Sequence, residues 1–232
     1  MSGFYSAGLF DVIPDSVAYQ WQWQDFADPW PANISDVNMT VSGLSQPNDL
    51  VTGDGIDDFG LADGPQDIPE NGEFGIAFTI EYNDDDISDF ERYLGCTDNG
   101  DEFQLASNGN GPPGNIGIGL RDGSNRIRVY TDSTFGNEQT RAVVINKRGN
   151  DAADFEIFVD DMENEENTSI SDDEDFDHNN YSNDADIGFY CRNNDDTPSD
   201  HTEIDCGVFE FNNGPYSESE RKDFISRRPE VS

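Results

Sequence analysis

The stretch FGIAFTIEY, residues 74–82, alternates large apolar side chains with small or polar ones without a break. Phe74, Ile76, Phe78, Ile80 and Tyr82 fall on one side; Gly75, Ala77, Thr79 and Glu81 fall on the other. Successive side chains of an extended chain point to opposite faces, so this pattern predicts a β-strand with one face on a core.

Working outward, the same period of two recurs. Val17, Tyr19, Trp21 and Trp23 share one side, as do Val37, Met39 and Val41. Further strands are expected over Phe90–Cys96, Glu102–Ala106, Asn115–Arg121, Arg126–Thr131, Arg141–Lys147, Asp154–Asp160, Ala185–Cys191 and Glu203–Phe211. Turn clusters rich in Gly, Asn and Asp separate them, for example 108–114 and 122–125. Ile, Val, Phe, Tyr and Trp number 54 against 21 for Leu, Met and Ala, a β-forming inventory.

Many short half-buried strands imply an all-β fold, a two-sheet antiparallel jelly-roll sandwich. The one helix signal is Ser217 with Glu220 three residues on, a capping box, with Arg227 and Arg228 suited to the helix C-terminus. The chain divides into an apolar segment 1–15, a domain 16–226 and a tail 227–232. The acidic segment 161–184 reads as a long solvated loop.

Composition sets the physical setting. With 34 Asp, 16 Glu, 10 Arg and 2 Lys (Lys147 and Lys222), the formal charge is −38 over 232 residues. Such self-repulsion is severe at low salt but short-ranged at about 1 M, where the Debye length is roughly 3 Å. The composition therefore suggests adaptation to concentrated salt. The sequence shows no basic patch that would displace counterions from nucleic acid, which argues against a nucleic-acid partner. No apolar run approaches the ~18 residues of a membrane span. Three cysteines do not make a disulfide scaffold. No basic and then apolar leader follows Met1, so the expected route to a surface is one without a signal peptide, such as release in a virus particle.

The order of segments resembles the laminin G-like jelly rolls of the concanavalin A-like lectin/glucanase superfamily. The likeness lies in GDGIDDFGLADG (53–64) followed by the strand 74–82, and in RAVVINKRGNDAADFEIFVDD (141–161), whose Phe158-Val159-Asp160-Asp161 stands where the family has a Tyr-Val-Asp-Gly turn. It continues through Ile187-Gly188, Ile204-Asp205 and Tyr216–Glu220. The resemblance implies a binding, structural or catalytic module, since the fold hosts all three.

Several groups could carry chemistry. Glucanases of this superfamily place two Glu and an Asp on one strand, and EIDCGVFE (203–210) is the nearest match. Glu203 and Glu210 are seven residues apart, roughly 20 Å of strand, too far for a retaining pair that needs ~5–5.5 Å. No catalytic residue is therefore assigned. Trp30, between two prolines, and Tyr181, in the acidic segment, are the candidates for stacking on a saccharide. No cofactor is expected beyond a structural calcium ion, for which Asp57 and Asp58 in the Gly-rich loop are the first choice among the acidic clusters, ahead of 84–86, 172–177 and 195–196. His178 and His201 read as surface histidines. Cys96, Cys191 and Cys206 read as buried free thiols. Phe4, Tyr5, Leu9 and Phe10 form an apolar end that could dock on a neighbouring subunit, making a homo-oligomer or other virion subunits the expected protein partners. The basic tail (Arg221, Lys222, Arg227, Arg228) could clamp to an acidic surface. The expectation is a non-enzymatic structural or adhesive protein of a virion surface, infecting a halophilic archaeon and binding host glycans, with a host lectin as the alternative and a glycoside hydrolase third.

Overall fold

The computed structural model describes residues 16–47, 50–82, 92–107, 114–135, 139–194 and 197–228. Phe4, Tyr5, Leu9 and Phe10 lie outside them, as do the acidic clusters 84–86 and 195–196.

The first strands are β1 (Val17–Gln22), β2 (Thr40–Ser42), β3 (Val51–Thr52), β4 (Phe59–Ala62), β5 (Phe74–Tyr82) and β6 (Arg92–Asp98). Then come β7 (Asp101–Ala106), β8 (Gly117–Asp122), β9 (Arg126–Thr131), β10 (Arg141–Lys147) and β11 (Phe155–Val159). The series closes with β12 (Thr168–Asp173), β13 (Ile187–Phe189), β14 (Arg192–Asn194), β15 (Thr197–Ser199), β16 (Ile204–Asn212) and one helix, α1 (Glu218–Ser226). A six-stranded sheet runs β1-β16-β5-β10-β11, with β3 also on β16. A ten-stranded sheet runs β12-β9-β8-β7-β6-β13-β4-β2, with β14 and β15 attached through β6. Pairing is antiparallel apart from β14 on β6.

The two sheets face each other over one core. Ile76, Phe78, Ile80, Val143, Ile145 and Phe209 meet Phe103, Leu105, Ile118, Leu120, Ile127 and Phe189. Rings interlock across the gap: Phe189 and Phe209 lie 4.7 Å apart edge to face, and Phe74 and Phe103 lie 6.3 Å apart. Removing one such ring should cost about 3–5 kcal/mol. The expected alternation is therefore what the fold uses, with Phe74, Ile76, Phe78 and Ile80 inward.

The other face of the six-stranded sheet is covered by α1. Phe224 packs with Ala77, Ala142, Val144, Phe158 and Val208 in a second, smaller cluster. The helix begins where the capping box predicts: Ser217 accepts from the Glu220 amide, and the Glu220 side chain accepts from the Ser217 amide at 2.7 Å. Arg227 and Arg228 do not sit in solvent beyond the helix. Both turn inward to Glu210. Asp160, in the turn after β11, takes φ +57°.

The segment 161–184 corrects one expectation. It is not loop throughout, because β12 pairs antiparallel with β9 at the sheet edge. Its alternation is masked by Ser and Asp on an edge strand that buries little, so periodicity gave no signal there. Among the described residues no helix is long and apolar enough to cross a membrane.

Candidate functional site

A strand that reaches the mouth of a sandwich stops burying its inward side chains. On β1, Trp21 is fully buried, whereas Tyr19 on the same face is half-buried with its ring parallel to Trp21 at 6.1 Å. Across from it, residues 65–71 wind through a 3-10 turn opened by Pro65, after Gly64 at φ +104°. A Cβ on Gly64 would lie 2.5 Å from the Tyr19 hydroxyl, so only glycine lets the ring lie there. Between these elements runs an open groove of about 470 Å³, walled by Tyr19, Ser35, Asp67, Glu70, Asn71 and Asn213, with Val37 and Ile68 as its apolar part.

The groove is acidic. The Asp67 carboxyl is held above its ordinary value by partial burial first, then by Glu70, Asp63 and Asp184. The Tyr19 phenol is also pushed up, by burial and by Asp67 and Asp63, so it remains a hydrogen-bond donor at neutral pH. A ring face, carboxylate and amide acceptors, amide donors and a hydroxyl together suit a ligand that carries many hydroxyls and no negative charge.

A second cluster lies between β3 and β4. Asp54, Asp57 and Asp58 bring carboxylate oxygens within 4.8 Å of one another. Asp58 is buried and accepts from the Asp54 amide at 2.8 Å; Asp54 and Asp57 are exposed. Burial raises the Asp58 pKa most, and the two neighbouring carboxylates add to it. Hard oxygen donors in one short loop are the set a calcium ion takes, and three carboxylates supply part of its six to eight ligands. His201 sits beside this loop, its Nδ1–H donating to the Asp58 carbonyl at 2.9 Å.

The two stacking candidates are corrected. Trp30 is fully buried: its backbone exchanges two 2.8 Å hydrogen bonds with Met39, its indole N–H donates to the Gln22 carbonyl at 2.9 Å, and its ring meets Phe26 at 5.3 Å. Tyr181 is 3% exposed, packs against Phe176 and donates to the Gln66 carbonyl at 3.3 Å. Neither ring offers a face to solvent, because each plugs the core beneath a loop. The aromatic at the groove, Tyr19, belongs to a strand whose alternation marks it as core, and nothing local distinguishes it from Trp21.

The EIDCGVFE segment resolves in a different way. A bulge between Cys206 and Phe209 shifts the register of β16 on β5, so Asp205 and Glu210 come to the same outer face. Glu210 is fully buried under α1 and accepts from Gln20 at 2.7 Å, Arg227 at 3.1 Å and Arg228 at 2.6 Å. The three cysteines are free and buried, with the Cys191 thiol pushed up to about 12 by desolvation. His178 pairs through Nδ1 with Asn150 at 2.8 Å.

No family model and no curated protein matches the chain. Solved structures do. The receptor-binding domain of botulinum neurotoxin mosaic serotype C/D superposes with a TM-score of 0.69 at 13% identity, covering 94% of this chain and 52% of that one. The binding domain of botulinum neurotoxin serotype D gives 0.67 at 12% identity, covering 93% and 52%. Trypanosoma rangeli sialidase gives 0.64 at 9% identity, covering 95% and 34%. This chain thus spans about half the length of the neurotoxin domains and a third of the sialidase. At these identities the likeness shows the fold alone, a two-sheet β-sandwich.

Proposed function

We propose that the protein is a non-enzymatic, glycan-binding surface module, and that the groove beside Tyr19 takes a neutral saccharide. The observation that carries this reading is the meeting of a half-exposed ring with carboxylates and amides, Tyr19 with Asp67, Glu70, Asn71 and Asn213, at one mouth of the sandwich. Sugar C–H faces stack on such a ring, and sugar hydroxyls donate to such carboxylates. The acidic walls and the −38 body select against anionic sugars there. Names of the structural neighbours, a toxin receptor-binding domain and a sialidase, are compatible with a binding module. The non-enzymatic part is supported by Glu210, which is committed to two arginines, and by its sequence distance from Glu203.

The setting in this reading is the surface of a particle in concentrated salt, a virion decoration or fibre module, with a host lectin as the alternative. The support is the charge, with 2 lysines among 232 residues, together with the laminin G-like order of segments.

The test is titration of neutral β-glucan and mannan oligosaccharides in about 3 M KCl, where charge is screened. Tyr19→Ala and Asp67→Asn should each weaken binding by about tenfold, a loss of roughly 1.4 kcal/mol. Tyr19→Phe should retain most of the affinity. Equal affinity in wild type and Tyr19→Ala would remove the groove from the reading.

A further inference from the structure

The chain has 10 arginines, and five of them gather on the outer face of the ten-stranded sheet: Arg92, Arg121, Arg126, Arg128 and Arg192. Strand alternation places them there. Ile118 and Leu120 of β8 and Ile127 and Val129 of β9 point into the core, so Gly117, Gly119, Arg121, Arg126, Arg128 and Tyr130 point away from it. On a body of −38 this is an island of guanidinium groups.

Glycines line part of the floor of the island. One row across six strands reads Gly188, Gly95, Gln104, Gly119, Arg128 and Asp172. The glycines leave room for long side chains to lie along the sheet. A Cβ at Gly117 would be 2.1 Å from the Tyr130 ring, and one at Gly119 would be 2.9 Å from the Gln104 amide. Gln104 lies between two arginines and accepts from one of them. In one amide orientation Arg92 Nε donates to its oxygen at 3.3 Å; in the other its oxygen accepts from Arg128 at 2.9 and 3.2 Å and its nitrogen donates to Glu102 at 2.9 Å.

Among the described residues the ion pairs of this face use three carboxylates. Arg126 pairs with Glu102 at 3.2 Å, Arg128 with Asp172 at a loose 3.7 Å, and Asp200 serves both Arg92 and Arg192. Arg121 makes no ion pair among the described residues. Three donors here, Arg126 Nε, Arg192 Nε and the hydroxyl of Tyr130, are buried without a hydrogen-bond partner, and Tyr130 is only 2% exposed. Buried donors without acceptors are costly. Arg126 and Arg192 keep 30% and 27% of their side chains exposed, so an outside acceptor reaches them at the open side of the guanidinium.

We propose that this face is a second binding site, for a carboxylated saccharide such as a uronic-acid chain. Guanidinium groups bind planar carboxylates bidentately at short range. In concentrated salt the long-range repulsion of the body is screened within a few Å, while such contacts persist. A second copy of the chain fits less well. A protein interface needs buried aromatic or aliphatic anchors at its centre, and this centre is Gly, Gln, Arg and Glu. The site is independent of the Tyr19 groove and has the opposite charge preference.

The experiment is calorimetric titration with oligogalacturonate and, separately, with its full methyl ester, in about 3 M KCl. The acid should bind, the ester about tenfold or more weaker, and the Arg126→Gln/Arg128→Gln variant should lose about tenfold for the acid while keeping its thermal midpoint and any neutral-glycan binding. Absence of binding, equal binding of acid and ester, or equal binding by the variant would overturn the proposal. So would a dimer in sedimentation that the double variant dissolves, since the face would then belong to a second copy. Should the double variant fail to fold, Arg121→Gln, which breaks no ion pair, is read by the same criteria.

Discussion

Arg228 donates to Glu210 at 2.6 Å where neither side chain is more than 3% exposed. Arg227 reaches the same oxygen at 3.1 Å, Gln20 holds it from β1, and the Arg228 guanidinium lies 4.7 Å from the Phe224 ring. The basic end of the chain is thereby clamped to its own sheet. Glu210→Ala removes the buried anion that Arg227 and Arg228 share and should cost about 3–5 kcal/mol, measured by urea unfolding in concentrated KCl. The joint replacement of Glu210 and Arg228 by Met should cost less than Glu210→Ala alone. An unchanged midpoint for Glu210→Ala would show that the clamp does not hold α1.

Lys147 is buried between the rings of Phe155 and Phe176 and donates to the Gly72 carbonyl at 3.1 Å. Burial lowers its pKa to about 8, against the pull of Asp154, Asp151 and Glu73. In the unfolded chain it titrates near 10.4. Between those values the unfolded chain binds more protons at this lysine, so its own contribution to stability rises with pH, on the order of 1–2 kcal/mol from pH 8 to 10. The contribution is read as the difference between wild type and Lys147→Met, whose stability should fall relative to wild type across that range. The wild-type curve alone does not isolate it, because Cys96, Cys191 and Cys206, all raised by burial, act with the opposite sign over the same range, as do Tyr190 and Tyr216 at higher pH.

Asp67 gives a pH dependence to the groove. Its folded pKa is raised, so the free protein gains stability as pH falls through that value. Saccharide affinity should move the other way, because the protonated carboxyl is a poorer acceptor. Glycan titrations at several pH values between 4 and 7 should show affinity falling toward acid in wild type. In Asp67→Asn the affinity should be weaker and flat.

Asp54, Asp57 and Asp58 repel one another around a partly buried carboxyl. In chelator-treated protein, Asp57→Asn should therefore be neutral or stabilising, by up to about 1 kcal/mol. Calcium at millimolar concentration should raise the thermal midpoint of the wild type and raise that of Asp57→Asn less. Equal responses would show that the cation acts elsewhere.

A charge of −38 predicts a fold that depends on salt. Circular dichroism should show the sandwich melting out as KCl is lowered from about 3 M to about 0.05 M, where the Debye length exceeds 10 Å. Retention of the full β signal at low salt would show that buried area outweighs the repulsion.

Much of the fold was legible because strand periodicity is local. The bounds 74–82, 126–131 and 141–147 are strands at the very residues whose alternation marks them, and Ser217 caps α1. Short or edge strands escaped. β12 carries Ser and Asp on both faces, β14 and β15 are three residues each, and none buries enough to leave a pattern. The site was far less legible. Trp30 and Tyr181 sit in loops by sequence, yet both fold inward, because a large ring flanked by polar chain is the cheapest plug for the end of a sandwich.

By itself, then, the sequence determined the class of fold and the strands with one buried face, since alternation needs no knowledge of what packs on what. Tertiary structure alone decided which aromatic meets water, which carboxylates share a groove and where the arginines collect. Residues 19, 35, 67–71 and 213 become neighbours only when β1 reaches the mouth of the sandwich beside the turn 65–71. Arginines from β6, β8, β9 and β14 align only through the register of the sheet. Register is a long-range pairing, and no spacing along the chain encodes it.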